Sequence, residues 1–236
     1  MSDRELISYL SQFVTSNRLA KMNRVLDERT RYITVLVEDI YQPHNASAVL
    51  RSCDCFGVQD VHVVENRNEY RINPGVELGS AQWLTLHRYR EKPTNTRDAI
   101  LTLRGRGYRI VATTPHTSQV DLDSFELGAG PVALLFGNEP DGLSETALGL
   151  ADHHLVIPMF GFAESFNISV SAAIILNVLT KRLRSSQIPY HLSREERDAL
   201  LLEWLRNSIG RCKALERAFY ERRGKPDAQG GSGAQT

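Results

Sequence analysis

Several things are scarce or missing in this chain of 236 residues, and each absence excludes a class of protein. Three cysteines are too few, and odd in number, for a disulfide framework. Cys53 and Cys55 stand two apart in a helical stretch and so point to different sides, which argues against structural zinc as well. Net charge is absent, because 28 Lys and Arg balance 28 Asp and Glu, so bulk charge gives no argument for nucleic acid. No apolar run reaches the ~20 residues of a membrane-spanning helix. The opening MSDRELISYL is charged and carries no apolar signal segment, so the expected compartment is the cytoplasm. A dinucleotide-binding G-x-G-x-x-G is missing, since Gly105-x-Gly107 precedes a strand and lacks the third glycine. There is no P-loop and no G-x-S-x-G elbow. His153 and His154 are adjacent at the head of a strand and face opposite ways, so no metal pair is expected.

What is present is a regular alternation. Near-continuous apolar runs at 32–37, 61–64, 108–113, 132–136 and 154–157 read as strands covered on both faces. Helical stretches at 46–56, 96–104 and 144–150 fall between them, which predicts an α/β fold with a mainly parallel sheet. In the first of these helices Pro43 blocks an earlier start, Asn45 is a good N-cap and Gly57 a good stop. The stretch VIPMFGFAESFNISVSAAIILNVLTKRL, 156–183, organises the rest: a strand, a polar loop, then a helix at 168–183 that is apolar on nearly every face. Such a helix has to be buried all round, and a second subunit is one way to bury it.

The ends differ from the middle. Residues 3–28 read as one helix whose apolar stripe (Leu6, Ile7, Leu10, Phe13, Val14) gives way to Arg18, Lys21, Arg24, Arg29 and Arg31. A second basic stretch, 206–225, follows a helix announced by the capping box Ser193-x-x-Glu196. Basic ends around a neutral middle are consistent with a polyanion held by the termini, and equally with solvated helix faces. The expected organisation is a basic helical extension at 1–30, a central α/β domain at 31–184, a helical extension at 185–223 and a disordered tail at 224–236.

In an open parallel sheet, ligands bind beyond the carboxyl ends of the strands. Four loops qualify: QPHN after the first strand, TTPHT from Thr113, GNEPDGLS from Gly137, and MFGFAESFN from Met159. Ser165, Asn167 and Ser169 cluster where the last loop becomes a helix, a place for side-chain oxygens and unpaired backbone N–H groups to meet a polar ligand.

Asn45-x5-Arg51 on the first core helix, LLFGNEPDGLS with Glu139, and VIPMFGFAESFNISVSAA with Ser165 and Asn167 together resemble the three motifs of the SPOUT methyltransferases, in the SpoU or TrmH branch. The resemblance covers roughly 32–184. It implies a SPOUT fold with a deep C-terminal trefoil knot, in which the segment after Met159 threads an earlier loop. It also implies an obligate homodimer, S-adenosyl-L-methionine as the methyl donor, and 2′-O-methylation of an RNA ribose. The flanking helices around PHNASAVLRSCDCFGV are similar to those of the tRNA guanosine 2′-O-methyltransferases of that branch, which implies tRNA as partner and guanosine 18 of its D-loop as target. Ribosomal RNA as target, and a non-catalytic RNA-binding protein of the same fold, stay open.

On the resemblance, Thr113, Leu135, Gly137, Asn138, Ile157 and Met159 hold the cofactor, with Ser165, Phe166 and Asn167 supporting. Methyl transfer from a sulfonium is an in-line displacement that asks for alignment and no metal. The family's proposed base is the motif-one arginine, here Arg51. A guanidinium is essentially always protonated, so Arg51 either accepts the proton with help from a neighbouring phosphate or orients that phosphate. Asn45 is either a helix cap or a ribose or interface contact, and Glu139 either fixes its own loop or acts in the site. Arg18, Lys21, His44, Lys181, Arg182 and Arg184 are the expected RNA contacts.

Overall fold

The computed structural model describes residues 3–115 and 120–224, and it divides into two compact units, Glu28–His191 and the described residues of 1–27 with those of 192–236. The larger unit holds seven strands: β1 Ile33–Glu38, β2 Asp60–Val64, β3 Thr85–Tyr89, β4 Arg109–Thr113, β5 Val120–Asp121, β6 Val132–Phe136 and β7 His153–Val156. They form one sheet in the order β3-β2-β1-β6-β4-β7-β5, and every pairing is parallel. After α1 Asp3–Leu10 and α2 Ser16–Asp27, which precede β1, the helices of this unit are α3 Pro43–Phe56, the single turn α4 Pro74–Glu77, α5 Thr96–Gly105, α6 Glu145–Gly149 and α7 Ile168–Arg184.

Alternation along the strands sends side chains to two covered faces. Ile33, Val35 and Val37 of β1 with Val132, Leu134 and Phe136 of β6 join the core under α3 and α7, while Leu36, Ala133 and Leu135 join the core under α5 and α6. This double cover explains why β1 and β6 read as unbroken apolar runs. β3 and β5 were not expected from the sequence. β3 is the edge strand TLHRY, half-exposed and with a single aliphatic residue, and β5 is only two residues long, so neither produces an apolar run.

α3 starts at Pro43, with Gln42 in the cap position, which corrects the expectation that Pro43 lies outside the helix and Asn45 caps it. Proline fits the first helical position because the N–H it lacks has no partner there. The stop is as expected: Gly57 adopts φ 77° and its N–H bonds the carbonyls of Asp54 and Cys53. A Cβ at Gly57 would also lie 2.5 Å from the Glu28 carbonyl oxygen.

α7 is buried along one side only. Ala172, Ile175, Leu176, Leu179 and Leu183 are covered, but Val170 is 43% exposed, Asn177 and Lys181 face outward, and Ile174 and Val178 are half-covered. The expectation of burial all round is therefore not met within one chain.

At the sheet edge, the buried His62 ring stacks on His87 at 4.5 Å and its Nδ1 lies 2.9 Å from the Tyr89 hydroxyl. Asp60 accepts from Arg31 Nε at 2.8 Å and lies 3.1 Å from His87 Nε2. Burial, reinforced by His87 and Arg106, pushes the His62 imidazole down from 6.5 to about 3. Burial would raise the Asp60 carboxyl, but His87 and Arg31 hold it below its ordinary value. Both groups take up protons more readily in the unfolded chain, so acidification through this range favours unfolding. The melting temperature is expected to fall as pH drops from about 6.5 toward 4, and His62→Phe, which keeps a ring but takes no proton, should flatten that fall. Melts followed by circular dichroism across this range check it, and equal slopes in the two proteins would refute it.

In the smaller unit, α1 Asp3–Leu10 and α2 Ser16–Asp27 replace the single N-terminal helix expected, because the chain turns at Ser11–Phe13 and Val14 is extended. They pack against α8 Arg194–Ser208, and α1 also against α9 Cys212–Gly224. Leu6, Leu10, Met22, Leu26 and Trp204 are buried, and Arg197 pairs with Asp27. The capping box Ser193/Glu196 is formed as expected. The disordered tail expected at 224–236 starts one residue too early, since Gly224 ends α9, and 225–236 lie outside the described residues. Among the described residues no helix is long and apolar enough to cross a membrane.

Candidate active site

The site begins where β1 ends. Glu38 is 3% exposed, and its carboxylate accepts from Ser144 N at 2.8 Å, from Ser144 Oγ at 2.7 Å and from Thr96 Oγ1. Asp39 follows at φ 52°, a conformation that is strained for a residue with a Cβ, and its carboxylate accepts the N–H groups of Asn66, Arg67 and Asn68. One strand end thus fixes two neighbouring loops. Neither acid was singled out from the sequence; the available signal was two consecutive carboxylates closing an otherwise apolar strand.

Asn45 sits in the first turn of α3, 3% exposed. Relieved of capping, its amide bridges: Nδ2 donates to Gln42 Oε1 at 3.3 Å and Oδ1 accepts from Asn167 Nδ2 at 3.1 Å. The loop after β6 closes on itself. Asn138 and Gly142 exchange two backbone bonds, of 3.1 and 3.0 Å, and a Cβ on Gly137 would lie 2.0 Å from the Gly142 carbonyl carbon. Only glycine permits that approach.

Asn167 closes the constellation. Its Oδ1 caps α7, accepting Ser169 N at 2.9 Å and Ser169 Oγ at 2.6 Å, while Nδ2 donates to Glu139 Oε1 at 2.5 Å as well as to Asn45. The loops after β1, β6 and β7 are thereby tied to one side chain.

Beside this hub lies a cleft of about 600 Å³. Of the residues expected to hold a cofactor, Thr113, Gly137, Asn138, Ile157, Met159, Ser165, Phe166 and Asn167 line it. Leu135 does not; it is buried, and its carbonyl accepts Thr113 Oγ1 at 2.8 Å, so it sets the loop from beneath. Among the described lining residues there are three carboxylates, Glu139, Asp141 and Glu164, and no Lys or Arg. Apolar walls with acidic and backbone polar groups suit a cationic, partly apolar ligand better than a phosphate. Among the described residues no group of His, Cys, Asp and Glu is placed to hold a metal ion.

The remaining expected residues lie elsewhere. His44 and Arg51 are exposed on α3 and line neither this cleft nor the hollow beside it. Arg18 and Lys21 are exposed on α2 of the helical unit. Of the three cations ending α7, Lys181 is exposed, but Arg182 donates to the carbonyls of Leu122 and Phe125 at 2.9 and 2.6 Å. Arg184 donates to the carbonyls of Glu28 and Phe56 at 3.2 and 2.9 Å. These two guanidiniums are turned inward, toward main chain rather than RNA.

Known proteins are similar to this chain in sequence and fold. The chain is 40% identical over 210 residues to a tRNA (guanosine(18)-2′-O)-methyltransferase of Borreliella burgdorferi, covering 89% of this chain and 94% of that one. A TrmH/SpoU tRNA modifying enzyme from A. aeolicus superposes with a TM-score of 0.72 at 30% identity, over 82% of this chain and 97% of its own. The SpoU methyltransferase AviRb from Streptomyces viridochromogenes, solved in complex with the cofactor AdoMet, matches 67% of this chain and 60% of its own, with a TM-score of 0.53 and 26% identity. Residues 32–177 match the model of the SpoU rRNA Methylase family, the same span that supplies the sheet, the cleft and the Asn167 hub, and the chain belongs to that family.

Proposed function

We propose that this protein transfers a methyl group from S-adenosylmethionine to a ribose 2′-hydroxyl of tRNA, at guanosine 18. The observation that carries the reading is the meeting of the three loops at Asn167, beside a cleft lined by carboxylates and apolar residues. When bound, S-adenosylmethionine supplies an electrophilic methyl on a sulfonium. Thr113, Gly137, Ile157 and Met159 would hold it through backbone and apolar contact, with Glu139, Asp141 or Glu164 offsetting its charge. The names of the relatives from Borreliella burgdorferi and A. aeolicus support tRNA as the acceptor.

A homodimer through α3 and α7 completes this reading. One face of α7 is open at Val170, Ile174, Asn177 and Val178, and α3 presents His44, Arg51 and Cys55 outward. Arg51 is six residues from Asn45, about 240° around the helix, so the two point away from each other. A second subunit would cover the apolar face and bring an arginine to each cleft. The segment after Met159 is proposed to thread an earlier loop as a trefoil knot, a reading supported by the convergence of the loops after β4, β6 and β7 on one cleft. Arg18 and Lys21, three apart and exposed on α2, are the proposed grip on tRNA phosphates. Three cysteines without a disulfide support the cytoplasm as the compartment.

The test is transfer of labelled methyl to a folded tRNA transcript and to ribosomal RNA, with the modified ribose mapped. Methylation of the tRNA at guanosine 18 is expected. Transfer to ribosomal RNA alone would refute the acceptor, and failure of the protein to bind S-adenosylmethionine in calorimetry would refute the enzyme.

A further inference from the structure

We infer that the hollow adjoining the cleft at Asn138 and Glu139 is the subsite for the acceptor nucleoside, with Tyr41 as its stacking surface. This rests on the methyltransferase reading above. The hollow, about 380 Å³, is lined on one side by Tyr41, Gln42 and Asn45 and on the other by Asn138, Glu139 and Ile168. Asn138, Glu139, Pro140 and Ile168 line the large cleft too, so the two spaces adjoin along these residues. In-line displacement requires donor and acceptor on opposite sides of the migrating carbon, with reacting atoms about 3–3.5 Å apart. Two hollows that adjoin along shared lining residues let the acceptor enter from the side opposite the sulfur of a bound donor and approach its methyl directly.

The lining fits a nucleoside. Tyr41 is 73% exposed and makes no hydrogen bond or ring contact among the described residues, so its ring faces are open to a base. Asn45 at the back is 3% exposed and held by Gln42 and Asn167, a fixed polar group against which a ribose can be set. No Lys or Arg lines the hollow, so phosphates would stay outside it and the sugar and base would enter. An unstacked base is held by aromatic side chains in just this manner in single-stranded recognition.

The experiment compares the parent with Tyr41→Ala, Tyr41→Phe and Tyr41→Leu, using tRNA transcript, cofactor calorimetry, and tRNA carrying 2-aminopurine at the target nucleotide. Loss of one stacking surface predicts a roughly 5- to 150-fold lower kcat/KM for tRNA in Tyr41→Ala. Tyr41→Phe should stay within about twofold of the parent and Tyr41→Leu should resemble Ala, because only Phe restores a ring. Cofactor affinity should not change. Quenching of 2-aminopurine on binding should be present with the parent and Phe proteins and reduced with Ala and Leu. Equal kcat/KM and equal quenching in all four proteins would overturn the subsite while leaving the function intact, as would a matching loss of cofactor affinity in Tyr41→Ala. A parent that transfers no methyl to any RNA would overturn the function and the subsite with it.

Discussion

Asn167→Ala is expected to lower both cofactor affinity and methyl transfer, the latter by about 100-fold or more. The side chain makes two bonds to α7 and one each to Glu139 and Asn45, so truncation releases three loops at once. Losing the cap costs about 1 kcal/mol, and leaving the buried Asn45 oxygen without its donor costs a further ~1–3 kcal/mol. At roughly 2–4 °C per kcal/mol for a chain of this size, the drop in melting temperature should be readily measured. Asn167→Asp separates the two roles. It keeps an oxygen to cap α7 but sets a carboxylate against the Glu139 and Asn45 oxygens that the amide now satisfies, so the cap is kept while the ties to both loops, and with them cofactor affinity, are lost. Unchanged calorimetric affinity in both variants would mean that the hub does not organise the cleft.

The parts of the fold that could be read from the sequence are those where one local cause acts. Gly57 ends α3 because only a residue without a Cβ fits there, and β6 reads as a strand because both of its faces are covered. Where two causes compete, pattern reading picks the wrong one. Pro43 both forbids a preceding helical turn and favours the first position of a new one, so Asn45 is displaced from the cap into the helix. The break between α1 and α2 was hidden because Phe13 and Val14 continue the apolar stripe, although Phe13 is 46% exposed.

The candidate site shows the same division. Loops at the carboxyl ends of the strands were identifiable because topology alone directs ligands there, and eight of the residues expected for the cofactor do line one cleft. What pattern could not give is tertiary wiring. Glu38 reaches Ser144 across 106 positions, and Asn167 reaches Asn45 across 122. Arg182 and Arg184 look like free cations in sequence because nothing local marks the carbonyls that receive them.

Arg51→Ala should abolish turnover yet leave cofactor binding near that of the parent, the reverse of the pattern for Asn167. Arg51 is exposed on α3 and does not line the cleft, so its removal leaves the lining intact. A group that handles the proton or orients the phosphate beside it contributes about 10²- to 10⁴-fold in rate. Arg51→Lys keeps the charge but not the planar fork, so little rescue is expected if bidentate phosphate contact is the role. Since Arg51 and Asn45 point to different sides of α3, each working cleft is expected to draw its arginine from the partner subunit. Mixing Arg51→Ala with Asn167→Ala protomers tests this directly. A heterodimer pairs one intact cleft with one intact arginine, and up to about a quarter of parental activity should return if half the molecules are mixed and one of two sites works. Light scattering should find the parent dimeric. No recovered activity in a mixture shown to contain heterodimers would place both residues on one subunit, and loss of cofactor affinity in Arg51→Ala would move the arginine into the cofactor site.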